Sequence, residues 1–173
     1  MYKIKLFTFL IFIMSTYLQA QSLVAWNKDV KLNYTDFKKS PTQKKKPQGV
    51  LDSRLGWQIA EADGQIPQLK VFNRYDQSNS WISMKHEGIL KEMQLQFDLS
   101  ELYARKIRKD FSDLQAKKAM SKDTYRTKFE YGTRSFQKRL SSLAGVTLNQ
   151  PDLYKLINKQ IQDSLVLYSK YQY

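Results

Sequence analysis

Residues 86–118 read HEGILKEMQLQFDLSELYARKIRKDFSDLQAKK, and this stretch decides the fold. It contains no proline, and its one glycine, Gly88, lies near the start. Apolar residues recur three or four positions apart, or at about twice that spacing: Met93, Phe97, Ala104, Ile107, Phe111 and Leu114. That spacing is typical of one helix face, and Glu101 precedes Arg105 by the four positions of a favourable helical pair. The sequence therefore predicts one long helix.

Two more helices are predicted after it. The first runs from Lys122 to about Leu143 and closes at Gly145. The second opens at Asn149–Pro151, with proline in its first turn, and continues to about Tyr168.

Short strands are predicted before the long helix. Residues 55–60, 68–73 and 80–84 favour strands, and Leu32 and Tyr34 alternate with polar neighbours as in a further strand. The lysine- and proline-containing stretch 38–49 is predicted to be an exposed loop. Strands first and helices after predict an α+β fold, with N-terminal antiparallel strands followed by a long helix and two further helices.

The first twenty residues have the layout of a cleavable signal peptide. Two lysines precede the apolar run Leu6–Leu18, and Ala20 is a small residue at the expected cleavage position. The run is shorter than the ~20 residues of a bilayer-spanning helix. We expect cleavage near Ala20/Gln21, export to the periplasm or the extracellular space, and a single mature domain over residues 21–173 without a transmembrane segment.

The composition is basic and lacks cysteine. The chain has 29 Lys and Arg against 16 Asp and Glu, and loss of Lys3 and Lys5 with the signal peptide lowers the formal net charge from +13 to +11. Such a charge attracts anionic surfaces. The absence of cysteine excludes disulfides, thiolate metal sites and thiol nucleophiles. His86 is the only histidine in the sequence, which leaves few ways to build a catalytic site.

The most specific stretch is Phe97–Lys109, which reads FDLSELYARKIRK. Further matching residues precede it: Trp26, Leu32, Tyr34, Asp36, Phe37 and the pair Ser80–Trp81. Together they resemble a family of exported bacterial proteins of unknown function, predicted to be secreted zinc-dependent peptidases, in which a very similar run follows the zinc-binding motif. The resemblance implies that the long helix is zincin-like.

The catalytic motif of that family is altered in this chain. The family has His-Glu-x-x-His before Phe-Asp; two histidines four apart bind Zn²⁺, and the glutamate polarises the metal-bound water. Here Glu92 replaces the first histidine, Met93 the catalytic glutamate and Gln96 the second histidine. Methionine cannot act as a general base, and glutamine is a poor zinc ligand. The resemblance therefore implies a peptidase-like fold that has lost both zinc and catalysis.

His86 and Glu92 are the remaining candidates for an unusual metal site. His86–Glu87 begins like the motif, but Leu90 stands four residues after the histidine. The simpler interpretation is a histidine at a helix start, with Glu92 and Gln96 as ordinary helix residues. Later in the chain, Tyr131–Gly132 stands where the family would have a His-Gly pair.

Basic residues offer a different kind of site. Arg105, Arg108 and Lys109 share a predicted helix face, with Lys106 beside them, and with the lysines of loop 38–49 they are candidates for binding an anionic polymer. A solvated charged face is the plainer interpretation, and export argues against nucleic acid.

Two further groups of residues have side chains that suit carbohydrate chemistry. Asp98 and Glu101, three apart, have the residue types of a glycosidase pair, although capping and salt bridges explain them better. The tryptophans Trp26, Trp57 and Trp81 have the residue type of a sugar-binding surface, although packing is the commoner role.

The function expected from the sequence is non-catalytic: an exported member of a zinc-peptidase-like family that binds or scaffolds an unknown partner in the cell envelope or outside the cell. The alternatives are an active secreted metal-dependent hydrolase with an unusual site, and a basic module that binds acidic polymers.

Overall fold

The computed structural model describes residues 22–41, 48–143, 146 and 150–173. The predicted signal peptide with its cleavage position, the loop lysines 44–46 and the helix end at Gly145 lie outside the described residues. The rest forms antiparallel strands followed by a long helix and two more helices, so the predicted α+β architecture is confirmed.

The strands form two small antiparallel sheets. Strands β1 (Leu23–Ala25), β4 (Gln68–Asp76) and β3 (Ser53–Ala60) lie side by side in the order β1-β4-β3. The short strands β2 (Gly49–Val50) and β5 (Trp81–Ile82) pair separately. The three strands predicted from residue 55 onwards are confirmed, with somewhat different limits. Along β4 the side chains alternate between a buried face, with Val71 and Tyr75, and an outer face, with Lys70 and Arg74.

The strand predicted around Leu32 and Tyr34 is wrong. Residues Tyr34–Asp36 form a single turn of 3₁₀ helix with a capping box. The Asn33 side chain accepts a hydrogen bond from Thr35 N at 2.9 Å, and Asp36 Oδ2 accepts one from Asn33 N at 2.8 Å. These local hydrogen bonds pair the backbone N–H groups without a neighbouring strand. The turn is therefore favoured over the strand that the alternating pattern predicted.

The long helix, α1 (Glu87–Ala116), lies at the centre of the molecule. His86 caps it, because its Nδ1 accepts a hydrogen bond from Gly88 N at 3.1 Å. Helix α2 (Lys122–Ser141) and helix α3 (Pro151–Leu167) pack on α1, and a 3₁₀ turn at Ser169–Tyr171 follows α3. Among the described residues, no helix is long and apolar enough to span a membrane.

Helix α1 is buried around much of its circumference, which explains why it organises the core. Phe97 and Met93 pack against the sheet with Tyr75, whereas Leu95 and Leu99 face α3. Burial of a side chain of this size contributes about 1.5–3 kcal/mol. Polar contacts also join helix and sheet: Ser100 Oγ donates to Asn73 Oδ1 on β4 at 2.9 Å. The site residues discussed below are therefore held on a rigid element.

Candidate functional site

The position that matches the catalytic glutamate of the resembled family lies in the hydrophobic core. Met93 is 5% exposed and packs among Leu32, Tyr75, Ile89 and Phe97. A side chain in this position is surrounded by apolar groups between the helix and the sheet. Met93 therefore contacts the apolar core and not the solvent.

His86 and Glu92 are not placed as a matched pair of ligands. His86 is exposed and its Nδ1 serves the helix cap. Glu92 is half-buried, six positions further along. Six residues of α-helix correspond to roughly 9 Å of rise and about one and two-thirds turns, so the two side chains leave the helix about a third of a turn apart. Within residues 22–41, 48–143, 146 and 150–173, no three or more His, Asp or Glu side chains cluster closely enough to hold a metal ion.

Arg105 and Arg108 do not form the solvated basic face predicted for them. Arg105 is 2% exposed; its Nε donates to Glu101 Oε1 at 3.0 Å, and Arg108 Nη1 donates to the same oxygen at 2.9 Å. Arg105 also donates to the Leu165 carbonyl and to Gln172 Oε1. The prediction failed because a carboxylate on the same helix brings both guanidinium groups into the interior.

Of the predicted basic trio, Lys109 is the solvated member. Its side chain is 41% exposed, and its ammonium lies 2.6 Å from Asp113. A continuous cationic stripe on α1 is therefore absent from the described structure, since two of its three members point inward.

The second carboxylate of the long helix is held in another way. Asp98 is 1% exposed and accepts hydrogen bonds from Trp26 Nε1 at 2.7 Å, Gln94 Nε2 at 2.8 Å and Gln162 Nε2 at 2.8 Å. Lys31 Nζ lies 3.8 Å from it. Both carboxylates of the glycosidase-like pair are thus engaged in structural hydrogen bonds.

The three tryptophans are engaged in packing and hydrogen-bond contacts, which agrees with the packing role favoured by the sequence. Trp57 stacks on Phe129 with ring centroids 5.5 Å apart, Trp81 is 9% exposed, and Trp26 uses its indole N–H on Asp98. These rings serve packing and do not form a sugar-binding platform.

A pocket lies at the edge of β4. Strand β1 pairs with residues 74–76 of β4, and among the described residues no strand lies beside the preceding part of that edge. Arg108 covers part of it, because its Nε donates to the Val71 carbonyl at 3.1 Å. Beside this contact is a cavity of about 320 Å³. We call it the edge pocket. Its charged lining residues are Lys70, Arg74, Glu101 and Arg108.

Arg74 is the least satisfied cation of the edge pocket. Its guanidinium lies 4.3 Å from the ring centroid of Phe72, and that ring lies over Gly56, where a Cβ atom would come within 2.4 Å of it. Within the described part of the chain, Arg74 forms no ion pair, and its buried Nε has no hydrogen-bond partner. Unpaired buried donors are costly. Arg74 is therefore a group that an anion would satisfy.

The other wall of the edge pocket comes from Tyr173. Its ring centroid is 4.6 Å from the Arg108 guanidinium and 5.6 Å from Lys70 Nζ. Burial raises the pKa of the Tyr173 phenol.

Sequence reasoning missed Lys70 and Arg74. The sequence feature that could have revealed them is the alternation of residues along β4. Lys70, Phe72 and Arg74 share one face of the strand, and Val71 and Asn73 share the other. Two cations and an aromatic on one strand face predict a cationic surface. Their proximity to Arg108 could not be predicted, because it depends on how the helix docks.

Comparison with protein-family profiles, with curated proteins and with solved structures gave no match. The resemblance to secreted zinc-dependent peptidases therefore stays a prediction that rests on the residues quoted above.

Proposed function

We propose that the protein is an exported, non-catalytic binding protein of the cell envelope or the extracellular space, and that it holds a small anion in the edge pocket. The observation that carries this proposal is Arg74, a cation without an ion-pair partner in the described structure, which lines the pocket together with Lys70 and Arg108. Three cations around one carboxylate leave positive charge uncompensated, and planar guanidinium groups suit carboxylate or phosphate ligands.

The non-catalytic part of the proposal is supported by Met93. In the resembled family this position carries the general base, but here it is a core residue, 5% exposed. A hydrolase built on this helix would need its chemical groups on a different face. The one available histidine has its Nδ1 in a helix cap, six residues from Glu92.

Binding is tested by calorimetry and thermal unfolding with inorganic phosphate and citrate as probes. We expect saturable binding and a rise in the unfolding temperature, because a ligand that binds the folded state stabilises it by mass action. Arg74→Gln should weaken binding about tenfold or more, the effect of losing one charge-assisted contact.

Arg54→Gln is the matched control. Arg54 stands directly opposite Arg74 in the sheet, so both substitutions remove one positive charge from the same face. Arg54, however, is paired with Asp52 at 2.8 Å and Asp76 at 3.0 Å and does not line the pocket. Equal losses in the two variants, or no saturable binding to either probe, would show that the edge pocket is not a binding site.

The alternative of an active metal-dependent hydrolase is tested by the metal content of purified residues 21–173 after dialysis against zinc. We expect no stoichiometric zinc and no peptide cleavage. Near-stoichiometric zinc that disappears in His86→Ala or Glu92→Ala, accompanied by cleavage, would replace the binding proposal with an unusual metal site.

A further inference from the structure

A second cleft, of about 400 Å³, lies between α1 and α2. The two helices approach closely at Gly132, where a Cβ atom would lie 2.5 Å from Ile107 Cγ1. Large side chains beside this close contact form the sides of the cleft. Three of them are tyrosines, Tyr103, Tyr131 and Tyr168, and we call the space the tyrosine cleft.

Lys106 lies in the tyrosine cleft, and the acidic residue of the cleft lining, Asp110, is not within ion-pair distance of it. Its ammonium is 4.8 Å from the ring centroid of Tyr103 and 6.0 Å from that of Tyr168. In the part of the chain that the structure describes, it forms no ion pair and no side-chain hydrogen bond, whereas its neighbour Lys109 pairs with Asp113. Burial lowers the pKa of Lys106.

The other polar groups of the cleft suit a ligand rich in hydroxyls. Asp110 and Ser135 line it, and Tyr131 is 64% exposed, so that its ring is open to contact. Tyrosine rings offer a flat apolar face together with a hydroxyl group. A sugar ring has the complementary form, since it combines an apolar C–H face with peripheral hydroxyls.

The geometry points to an acidic saccharide as the ligand of the tyrosine cleft. One sugar ring would lie against Tyr131 and Tyr103, with its carboxylate at Lys106 and its hydroxyls on Asp110 and Ser135. We expect a carboxylate on the sugar because Lys106 has no ion-pair partner among the described residues. This site is separate from the edge pocket, and it differs from the arginine stripe that the sequence predicted for anionic polymers.

The experiment is calorimetric titration of the purified protein with a galacturonate hexamer, compared with maltohexaose as the neutral sugar and with linear polyphosphate as the anion without sugar rings. We expect the uronate to bind more tightly than either. Tyr131→Ala and Lys106→Gln should each weaken it about fivefold or more, which is roughly 1 kcal/mol at 25 °C. Tyr131 is exposed, so its substitution should leave folding intact.

Lys155→Gln is the charge-matched control, because Lys155 is exposed on α3 and outside the cleft. A loss there as large as in Lys106→Gln would overturn the proposal in favour of unspecific charge attraction. So would polyphosphate binding as tight as uronate binding in the Arg74→Gln variant, whose edge pocket is impaired. NMR of ¹³C-methylated lysines gives a second readout: the pKa of Lys106, assigned from Lys106→Gln, should rise when uronate binds, and an unchanged value would contradict the proposal. Arg74→Gln should leave uronate binding unaffected, which separates this site from the edge pocket.

Discussion

Asp98 and Glu101 are both buried carboxylates, one helical turn apart on α1, yet their surroundings differ. Asp98 is surrounded by neutral donors from Trp26, Gln94 and Gln162, with one lysine 3.8 Å away. Glu101 is held by Arg105 and Arg108, at 3.0 and 2.9 Å. Neutral hydrogen-bond donors of the protein therefore stabilise the Asp98 carboxylate, whereas two positively charged guanidinium groups neutralise the Glu101 carboxylate.

The difference matters because the two arrangements fail differently. Removal of Glu101 leaves two guanidinium groups in the interior without a counter-charge, and an uncompensated buried charge is among the largest single-residue penalties. A change at Asp98 leaves unpaired neutral donors and a lysine, Lys31, that is exposed to water, and these cost less. The Glu101 cluster should therefore be the more fragile of the two, although it has more ionic contacts.

The largest effect is expected for Glu101→Ala. The free energy of unfolding should fall by about 3–5 kcal/mol, because Arg105 and Arg108 lose their shared counter-ion. Urea denaturation followed by circular dichroism measures the loss. A decrease below about 1 kcal/mol would mean that water or another group compensates the arginines.

A smaller effect is expected for Asp98→Asn, which keeps the shape of the side chain. The substitution replaces one accepting oxygen by an NH₂ group, which then faces the donors that surround Asp98. We expect the unfolding free energy to fall by about 1–3 kcal/mol. The same denaturation measurement applies. A loss equal to that of Glu101→Ala would erase the distinction between the two carboxylates.

A third carboxylate, Asp76, accepts hydrogen bonds from neutral donors and also pairs with Arg54 at 3.0 Å. The pH dependence of the unfolding free energy tests its contribution. Hydrogen bonds from the Ser78 hydroxyl, followed by those from the Asn79 side chain and the Ser78 backbone N–H, hold the pKa of Asp76 at about 2. Because the folded-state pKa is below the unfolded value, its stabilisation is complete above the unfolded pKa and is lost as the pH falls from about 5 towards 2. The loss should reach up to about 2 kcal/mol.

The control for this loss of stability at acid pH is Asp76→Asn, which has no carboxyl group at position 76 to titrate. Its unfolding free energy should be lower than that of the native chain at pH 7 and should vary less between about pH 5 and 2. Parallel pH curves for the two proteins would assign the acid sensitivity to other groups.

The smallest effect is expected at Lys109 and Asp113, which repeat the four-residue spacing of Glu101 and Arg105 on the surface of the same helix. Lys109→Ala should change the unfolding free energy by at most about 0.5 kcal/mol, since exposed pairs are screened by water and salt. A double-mutant cycle with Asp113→Ala isolates the pair. A coupling above about 1 kcal/mol would show that burial is not what distinguishes the two pairs.

The long helix was predictable because its signal is local. The predicted span 86–118 and the observed Glu87–Ala116 differ by one or two residues at each end, since apolar spacing and the His86 cap act within a few residues. The turn at Tyr34–Asp36 was missed because hydrogen bonds of Asn33 and Asp36 outweighed an alternation only a few residues long.

The candidate site was much less predictable than the fold. Arg105 and Arg108 carry full charges, and charged residues lie at the surface unless paired. Their burial depends on the carbonyls of Leu165, Tyr171 and Val71, which are remote in sequence. Lys70 and Arg74 show their common face through alternation, but nothing local indicates that Arg108 completes their pocket.

The reach of the two buried arginines also constrains the order of folding. Arg105 and Arg108 donate to residues that lie 60 to 67 positions later in the chain. Contacts of such long range form late, because a large loop must close first. While the ribosome still holds residues 165–172, both guanidinium groups lack these acceptors, and the interior cannot close. This part of the interior therefore closes only after the segment that follows helix α3 has docked, so an early folding intermediate should have helix α1 formed but both guanidinium groups still in water.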